Sequence, residues 1–359
     1  MSRIYNFSAG PAILPEEVLV EAQRELVDYK GSGMSIMEMS HRGKEYSAVH
    51  EEAVANFGKL LNIPDDYAVL FLTGGASGQF AMIPMNLLTA ETSADYTHNG
   101  SWGKKAIKEA KGIGKVTVVS DTTAAKPARV SSEAELAWSA DAAYAHITSN
   151  ETIEGIQWKT FPQTPSPLVA DMSSDILSRP LDITQFGLIY AGAQKNIGPA
   201  GVTLVIVRKD LVEQGRKDIP VIHQYRTHME NNSLYNTPPC FPIYIVMLVT
   251  RWLLAKGGLE AMQEQNDVKA ARLYAAIDAS GFYQGTADPA YRSPMNVTFR
   301  LPSEELENAF IKEAASFNLK GLKGHRSVGG IRASIYNAFP PAGVDQLVQF
   351  MKEFEQRNG

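Results

Sequence analysis

The sequence predicts an α/β fold. A large domain, residues 15–256, is built on a mainly parallel sheet covered by helices on both faces, and a smaller α+β domain combines residues 257–359 with the N-terminal arm 1–14. Three observations carry this expectation. Short apolar runs recur through the first two thirds of the chain, namely AVLFLT from Ala68, KVTVVS from Lys115, YAHIT from Tyr144, PLVAD from Pro167, FGLIYAG from Phe186 and VTLVIV from Val202. Each is bounded by turn residues, as a strand buried on both faces should be, and helical patterns or loops separate them, which is the alternation of a parallel sheet. Beyond Gly257 the pattern shifts to long helices with isolated strands, and 359 residues with 44% hydrophobic content can bury a large core beside a smaller one.

In order, Tyr5 to Leu14 reads as an extended arm, and Pro15 opens a helix with Glu16 and Glu17 in its first turn. Val18, Ala22 and Leu26 mark its apolar face, and Gly31 to Gly33 end it. A loop carrying His41 and Arg42 leads to a helix in which Tyr46, Val49, Ala53, Phe57 and Leu60 repeat at three and four until Pro64 closes it. The strand from Ala68 runs into GGASGQ, Gly74 to Gln79, followed by a helix from about Phe80 to Leu88. A glycine-rich turn there points backbone N–H groups from the positive end of a helix and suits a phosphate. It is neither a nucleotide P-loop, lacking Gly-Lys-Ser/Thr, nor a dinucleotide fingerprint, and alone it fits tight packing equally well. Trp102 begins the next helix. Gly215 to Pro242 is an irregular, loop-rich excursion suited to an interface, and Ile243 to Ala255 is an apolar helix that returns to the large domain. Then come a long polar-faced helix, a strand at Met295 to Arg300, a helix from Ser303 to Phe317, a strand near Gly330 to Tyr336 and a last helix from Val344.

Composition excludes several classes of function. A net charge of −5 and a pI near 5.9 offer no global attraction to nucleic acid or anionic membrane, so any anion must be held by a local cluster. One cysteine, Cys240, makes no internal disulfide, and between Pro239 and Phe241 it reads as a small buried hydrophobe. MSRIYNFSAGP lacks the apolar core of a signal peptide, and Ile243 to Val249 is too short to span a bilayer, so the expected location is cytoplasmic.

The chemistry centres on Lys195. It follows a strand that stops at Gly192 and precedes another apolar run, a setting that desolvates an amine, lowers its pKa and frees it as a nucleophile for a Schiff base. Asp171 closes a second strand upstream. An amine for an aldehyde and a carboxylate for a ring nitrogen are the two groups that a lysine-borne pyridine cofactor needs. Strand C-termini of such a sheet form the ligand rim, which brings Gly74 to Gln79, Thr148 to Thr152, Asp171 and Lys195 together.

NFSAGPAILP, SHRGKEY, LTGGASGQF, NETIEG, ADMSSD, AGAQKNIGPAGV, YNTPP and GHRSVGGIRASIYNA, in that order over essentially the whole chain, resemble the phosphoserine aminotransferase family, within the class-V aminotransferases of the fold type I pyridoxal-phosphate enzymes. The resemblance implies that pyridoxal 5'-phosphate is carried by Lys195, which also shuttles the substrate α-proton, that residues 15–256 form the cofactor-binding domain, and that Asp171 pairs with the pyridine nitrogen. It implies that Trp102 stacks on the ring, that Thr152 bonds near the phenolic oxygen, and that Ala76, Ser77 and Gln194 hold the phosphate, with Asn236 and Thr237 reaching in from the second subunit of a homodimer. Some members of the family have arginine where this chain has Ser77, which leaves a hydroxyl and backbone amides for that contact, and Ala9 stands in place of a serine whose contact is expected to be through the backbone. Arg332 is the candidate for the substrate α-carboxylate, as a bidentate guanidinium fixes both position and orientation. His41, Arg42, His325 and Arg326 would face a distal phosphate or side carboxylate. No metal ligand set is implied. The implied reaction moves the amino group of glutamate to 3-phosphohydroxypyruvate, with a side activity on the phosphorylated oxo-acid of vitamin B6 synthesis. Other readings of Lys195 are a class-V relative acting on alanine, serine or glyoxylate, an aldolase-like enzyme without cofactor, and a non-catalytic binding protein. The first is disfavoured by the two His-Arg pairs, the aldolase reading leaves Asp171, GGASGQ and Trp102 unexplained, and the binding-protein reading predicts that Lys195→Ala keeps ligand affinity with no chemistry to lose.

Overall fold

A computed structural model describes residues 3–359. Its centre is a seven-stranded sheet in the spatial order Tyr67–Leu72, Thr203–Arg208, Leu188–Gly192, Leu168–Asp171, Tyr144–Thr148, Ser93–His98 and Lys115–Asp121. The last five are mutually parallel, while Thr203–Arg208 runs antiparallel to both of its neighbours. The strand Ser93–His98 is additional to the expected set. SADYTH has no apolar run, yet Asp95 is completely buried because the Ser139 N–H and hydroxyl both donate to its carboxylate, at 2.6 and 2.9 Å.

Several boundaries differ from the expected ones, each for a local reason. The helix expected from Phe80 spans Gly75–Leu87, so the glycine turn is its first turn, entered through Gly74 and Gly75 at φ 94° and 63°. Gln79 faces away from the ligand rim and accepts the Tyr225 hydroxyl at 2.6 Å. The first helix ends at Glu25, ahead of Gly31 to Gly33, and its apolar face lacks Leu26, which is exposed. Glu25 is buried instead, accepting the Tyr244 hydroxyl at 2.7 Å. Cys240 is half-buried at the start of the helix Cys240–Ala255, which begins ahead of Ile243 because Pro242 is tolerated in a first turn. Among the described residues, no single helix is long and apolar enough to cross a membrane.

Two hydrophobic clusters flank the sheet. A third gathers Phe7 and Ile13 with Leu273, Phe299, Phe310, Ile331, Phe350 and Phe354. Here the strand Asn296–Arg300 pairs antiparallel with Ile331–Ser334, and Tyr5–Asn6 of the arm pairs in parallel with Leu319–Lys320. The helix Gly258–Asp278 lies against this cluster and carries Lys269, completely buried, whose amine burial pushes down to about 7. Its ammonium donates to the carbonyls of Ile335 (2.9 Å), Tyr336 (2.6 Å) and Phe339 (3.2 Å), so the turn after Ser334 is wound around one amine.

Replacing Lys269 by Met keeps the aliphatic stem but leaves three buried carbonyls without a donor. We expect Lys269→Met to lower stability by roughly 3 kcal/mol, read as a shift of the urea midpoint at unchanged m-value. An unchanged midpoint would show that water or backbone adjustment satisfies the turn.

Candidate active site

Lys195 occupies the connection between two antiparallel strands. Gly192 is paired with Thr203, the Ala193 carbonyl accepts the N–H groups of Lys195 (2.7 Å) and Gly198 (2.9 Å), and the chain turns back within ten residues. The tight return projects Lys195 from the end of the sheet into the protein, where it is 8% exposed. Its Nζ donates to Thr152 Oγ1 at 2.8 Å and lies 5.4 Å from the centre of the Trp102 ring. Burial pushes the amine down to about 8, opposed by the Asp171 carboxylate and reinforced by the Arg332 guanidinium.

Asp171 ends its own strand, paired with Thr148 on one side and Tyr190 on the other. Its Oδ1 accepts the N–H of Ser173 at 2.9 Å and the Ser173 hydroxyl at 2.6 Å. Burial raises its pKa, while those bonds and Lys195 lower it, so amine and carboxylate are both drawn toward neutrality by the same dry surroundings. The N-terminal arm closes the far side. A Cβ on Gly10 would stand 3.5 Å from Lys195 Cγ, and Ala12 N–H donates to the Gln194 carbonyl at 2.8 Å.

These groups share a cavity of about 260 Å³ with Gly74, Ala76, Ser77, Trp102 and Gln194. Gly78 bonds back to Gly74, leaving the N–H groups of the first helical turn to point outward. Gly192 keeps the approach open, since a Cβ there would stand 3.5 Å from the Ala76 nitrogen. The buried Thr148 Oγ1 and Trp102 Nε1 have no partner within the protein. An anion cradle, a desolvated amine, a fixed carboxylate, an aromatic wall and unused polar atoms fit a phosphorylated pyridine aldehyde.

Beyond the loop Asn150 to Gly155 lies a second cavity of about 620 Å³, lined by Glu154, His325, Arg300 and Arg332. The loop is the partition: Asn150 and Thr152 line the first cavity, Ile153 and Glu154 the second. Arg332 is half-buried, and burial lowers its pKa against the pull of Tyr336 and Glu154. His325 donates to or accepts from Ser327 at 2.7 Å, and Arg326 is exposed in the same turn.

Arg326 lines neither cavity, and four further expected residues fall elsewhere in the single chain. His41 is half-buried and Arg42 exposed just ahead of the helix Lys44–Leu61, and they line neither cavity. Asn236 and Thr237 are exposed, with Asn236 on a separate hollow beside Gly74 and Gly78. The sequence reading missed the work of Ser173, Gly10, Glu151 and Glu154. Ser173 was findable as a hydroxyl two residues after an aspartate, the spacing of an Asx turn.

The class-V aminotransferase family model matches residues 4–347. The phosphoserine aminotransferase of Niallia circulans is 57% identical over 359 residues, covering 99% of each chain. Among solved structures, phosphoserine aminotransferase from Bacillus circulans subsp. alkalophilus superposes with a TM-score of 0.98 at 56% identity over 99% of each chain. The PLP-bound phosphoserine aminotransferase of Trichomonas vaginalis matches with a TM-score of 0.93 at 42% identity, over 98% of this chain and 100% of that one.

Because Lys195 titrates near 8, its uncharged form grows as pH rises through that value. Uptake of pyridoxal phosphate by cofactor-free protein should therefore accelerate over the same interval, followed by visible absorbance. Asp171 favours the ammonium, so Asp171→Asn should move the limb to lower pH; a limb that stays in place or moves upward contradicts this assignment.

Proposed function

We propose that this chain, which belongs to the class-V aminotransferase family and is a pyridoxal-phosphate-dependent transaminase of serine biosynthesis, moves the amino group of L-glutamate to 3-phosphohydroxypyruvate. The products are O-phospho-L-serine and 2-oxoglutarate, formed by a ping-pong route. The observation that carries this reading is the desolvated Lys195 beside Asp171, with Arg332 and His325 lining the cavity next door. A side activity on the phosphorylated oxo-acid of vitamin B6 synthesis requires the same cations.

When bound, pyridoxal phosphate supplies an aldehyde for the substrate amine and a ring that accepts electrons from the α-carbon. Lys195 would hold it, and its Nζ takes the α-proton from one substrate and returns a proton to the other. Thr152 fixes the direction of that amine through their 2.8 Å bond. Asp171, locked by two bonds from Ser173, would face the ring nitrogen and keep it protonated. The first turn of Gly75–Leu87, with Ala76, Ser77 and Gln194, would receive the phosphate, and Trp102 would cover the ring. Arg332 binds the α-carboxylate as a two-pronged donor, while His325 and Arg326 meet the distal anion.

His41, Arg42, Asn236 and Thr237 act on the site of the second chain in a homodimer. Two exposed apolar groups support this: Met34 and Met37 precede the first pair, and Val221, Ile222 and Tyr235 precede the second. We further read residues 15–256 as the cofactor domain, with 1–14 and 257–359 as a smaller domain that carries Arg332 and His325. The cytoplasm is the compartment we assign to it.

The deciding measurement is the visible spectrum of the holoenzyme. Glutamate should abolish the yellow band and 3-phosphohydroxypyruvate should restore it, while Lys195→Ala should show neither change. Restoration only by glyoxylate or pyruvate would overturn the acceptor. Arg332→Ala should raise KM for glutamate roughly 10- to 100-fold, the equivalent of about 1.5–3 kcal/mol of charge-assisted bonding.

A further inference from the structure

The helix Ser101–Lys111, which carries Trp102, has no cap of its own. Its N-cap residue is Gly100, and no local side chain bonds to its first N–H groups. Those donors are taken instead by two glutamates from the loop Asn150 to Gly155, about fifty residues downstream. Glu151 accepts the N–H of Trp102 on Oε2 (2.9 Å) and that of Gly103 on Oε1 (2.8 Å). Glu154 Oε1 accepts the N–H of Ser101 (2.9 Å) and its hydroxyl (2.7 Å). Three successive backbone donors are thus held by one short loop.

The same loop holds the lysine, because Thr152, between the two glutamates, is the partner of Lys195 Nζ. A chain of direct bonds therefore runs from Trp102 through Glu151 and Thr152 to Lys195. Thr298 Oγ1 donates to the Glu154 carbonyl at 3.2 Å, which anchors the loop's far end. Glycine at position 100 serves space rather than conformation, since its φ of −174° is open to any residue. A Cβ there would lie 2.6 Å from both Glu151 Cδ and Glu154 Oε2. The arrangement is a costly way to cap a helix. It places two carboxylates side by side, with Glu151 buried and Glu154 Oε2 left without a partner, where a serine or aspartate at the N-cap would satisfy a donor at no such expense. What a local cap cannot do is tie the helix to the lysine.

We propose that Glu151 and Glu154 are positioning residues for Trp102, fixing the first turn of its helix relative to Lys195 through the loop that carries Thr152. The inference rests on the reading of Trp102 as the residue that covers the cofactor ring.

The test uses pyridoxal-phosphate-loaded enzyme and compares Glu154→Gln, Glu151→Gln and Gly100→Ala with Trp102→Phe. Gly100→Ala retains both carboxylates and displaces them, which separates position from charge. The three positioning variants should retain stoichiometric cofactor, change the visible circular dichroism of its band in the same sense as Trp102→Phe, and lower kcat roughly tenfold with KM for glutamate within about twofold. If the dichroism and kcat of Glu154→Gln and Gly100→Ala stay at wild-type values while Trp102→Phe alters both, the inference fails and the stacking role of Trp102 stands. A lowered unfolding midpoint with an intact band overturns it too, as that is the result of a cap alone. If Trp102→Phe itself leaves the band unchanged, the stacking reading falls and takes the inference with it. Should Glu151→Gln not fold, the two milder variants decide the matter.

Discussion

The structure is organised around keeping an amine dry next to a carboxylate. Lys195 and Asp171 each lose the hydration that would hold them charged, and the protein compensates with a few directed bonds rather than a direct ion pair. That constraint explains features which look unrelated along the chain. The chain reverses right after Lys195, in a connection of ten residues, and the strand that follows therefore runs antiparallel to its neighbours. The loop Asn150 to Gly155 brings a hydroxyl to the amine, and the arm from Tyr5 to Leu14 lays Gly10 across its stem. Each of these is a wall of one small chamber.

Much of this was legible in the sequence, for a specific reason. Apolar runs bounded by turn residues read directly as strands in five of the six cases, with Asp171 and Lys195 at the ends of two; Lys115–Asp121 was expected to be buried on both faces but lies mostly exposed, because it is the edge strand of the sheet. The run from Val202 read equally well but gave no sign of its antiparallel direction, since periodicity carries no polarity. Ser93–His98 escaped because its buried aspartate is hydrogen-bonded by Ser139, a partner more than forty residues away that no local pattern reveals. The early start of Gly75–Leu87 was hidden by its glycines, which ordinarily argue against helix but here set the positive φ values that turn the chain into one.

At the site, residue types on strand ends were readable and residues acting through others were not. Lys195, Asp171, Thr152 and Trp102 meet around one cavity. Ser173, Glu151, Glu154 and Gly10 work by holding those four; Ser173 does so across two residues, while the signal of the other three lies in distances between segments remote in sequence. Lys269 is the same lesson in the smaller hydrophobic cluster: a lysine on a polar-looking helix that turns inward to gather three carbonyls. The residues that stay away from both cavities, His41 and Arg42 on one loop, Asn236 and Thr237 on another and Arg326 beside His325, were recognisable as motifs, but within one chain they do not meet the groups around Lys195.

The pairing of Tyr5–Asn6 with Leu319–Lys320 has a consequence for how the enzyme comes into being. The arm that covers Lys195 and its strand partner lie more than three hundred residues apart in sequence. Phe7 donates to the Lys320 carbonyl, and Ser334 donates back to Phe7, so the arm cannot be seated until the segment from Leu319 to Ser334 is in place. Until then the chamber around Lys195 lacks one wall. Closing it is therefore a long-range event, one that joins the two hydrophobic regions of the fold through a single short strand pair.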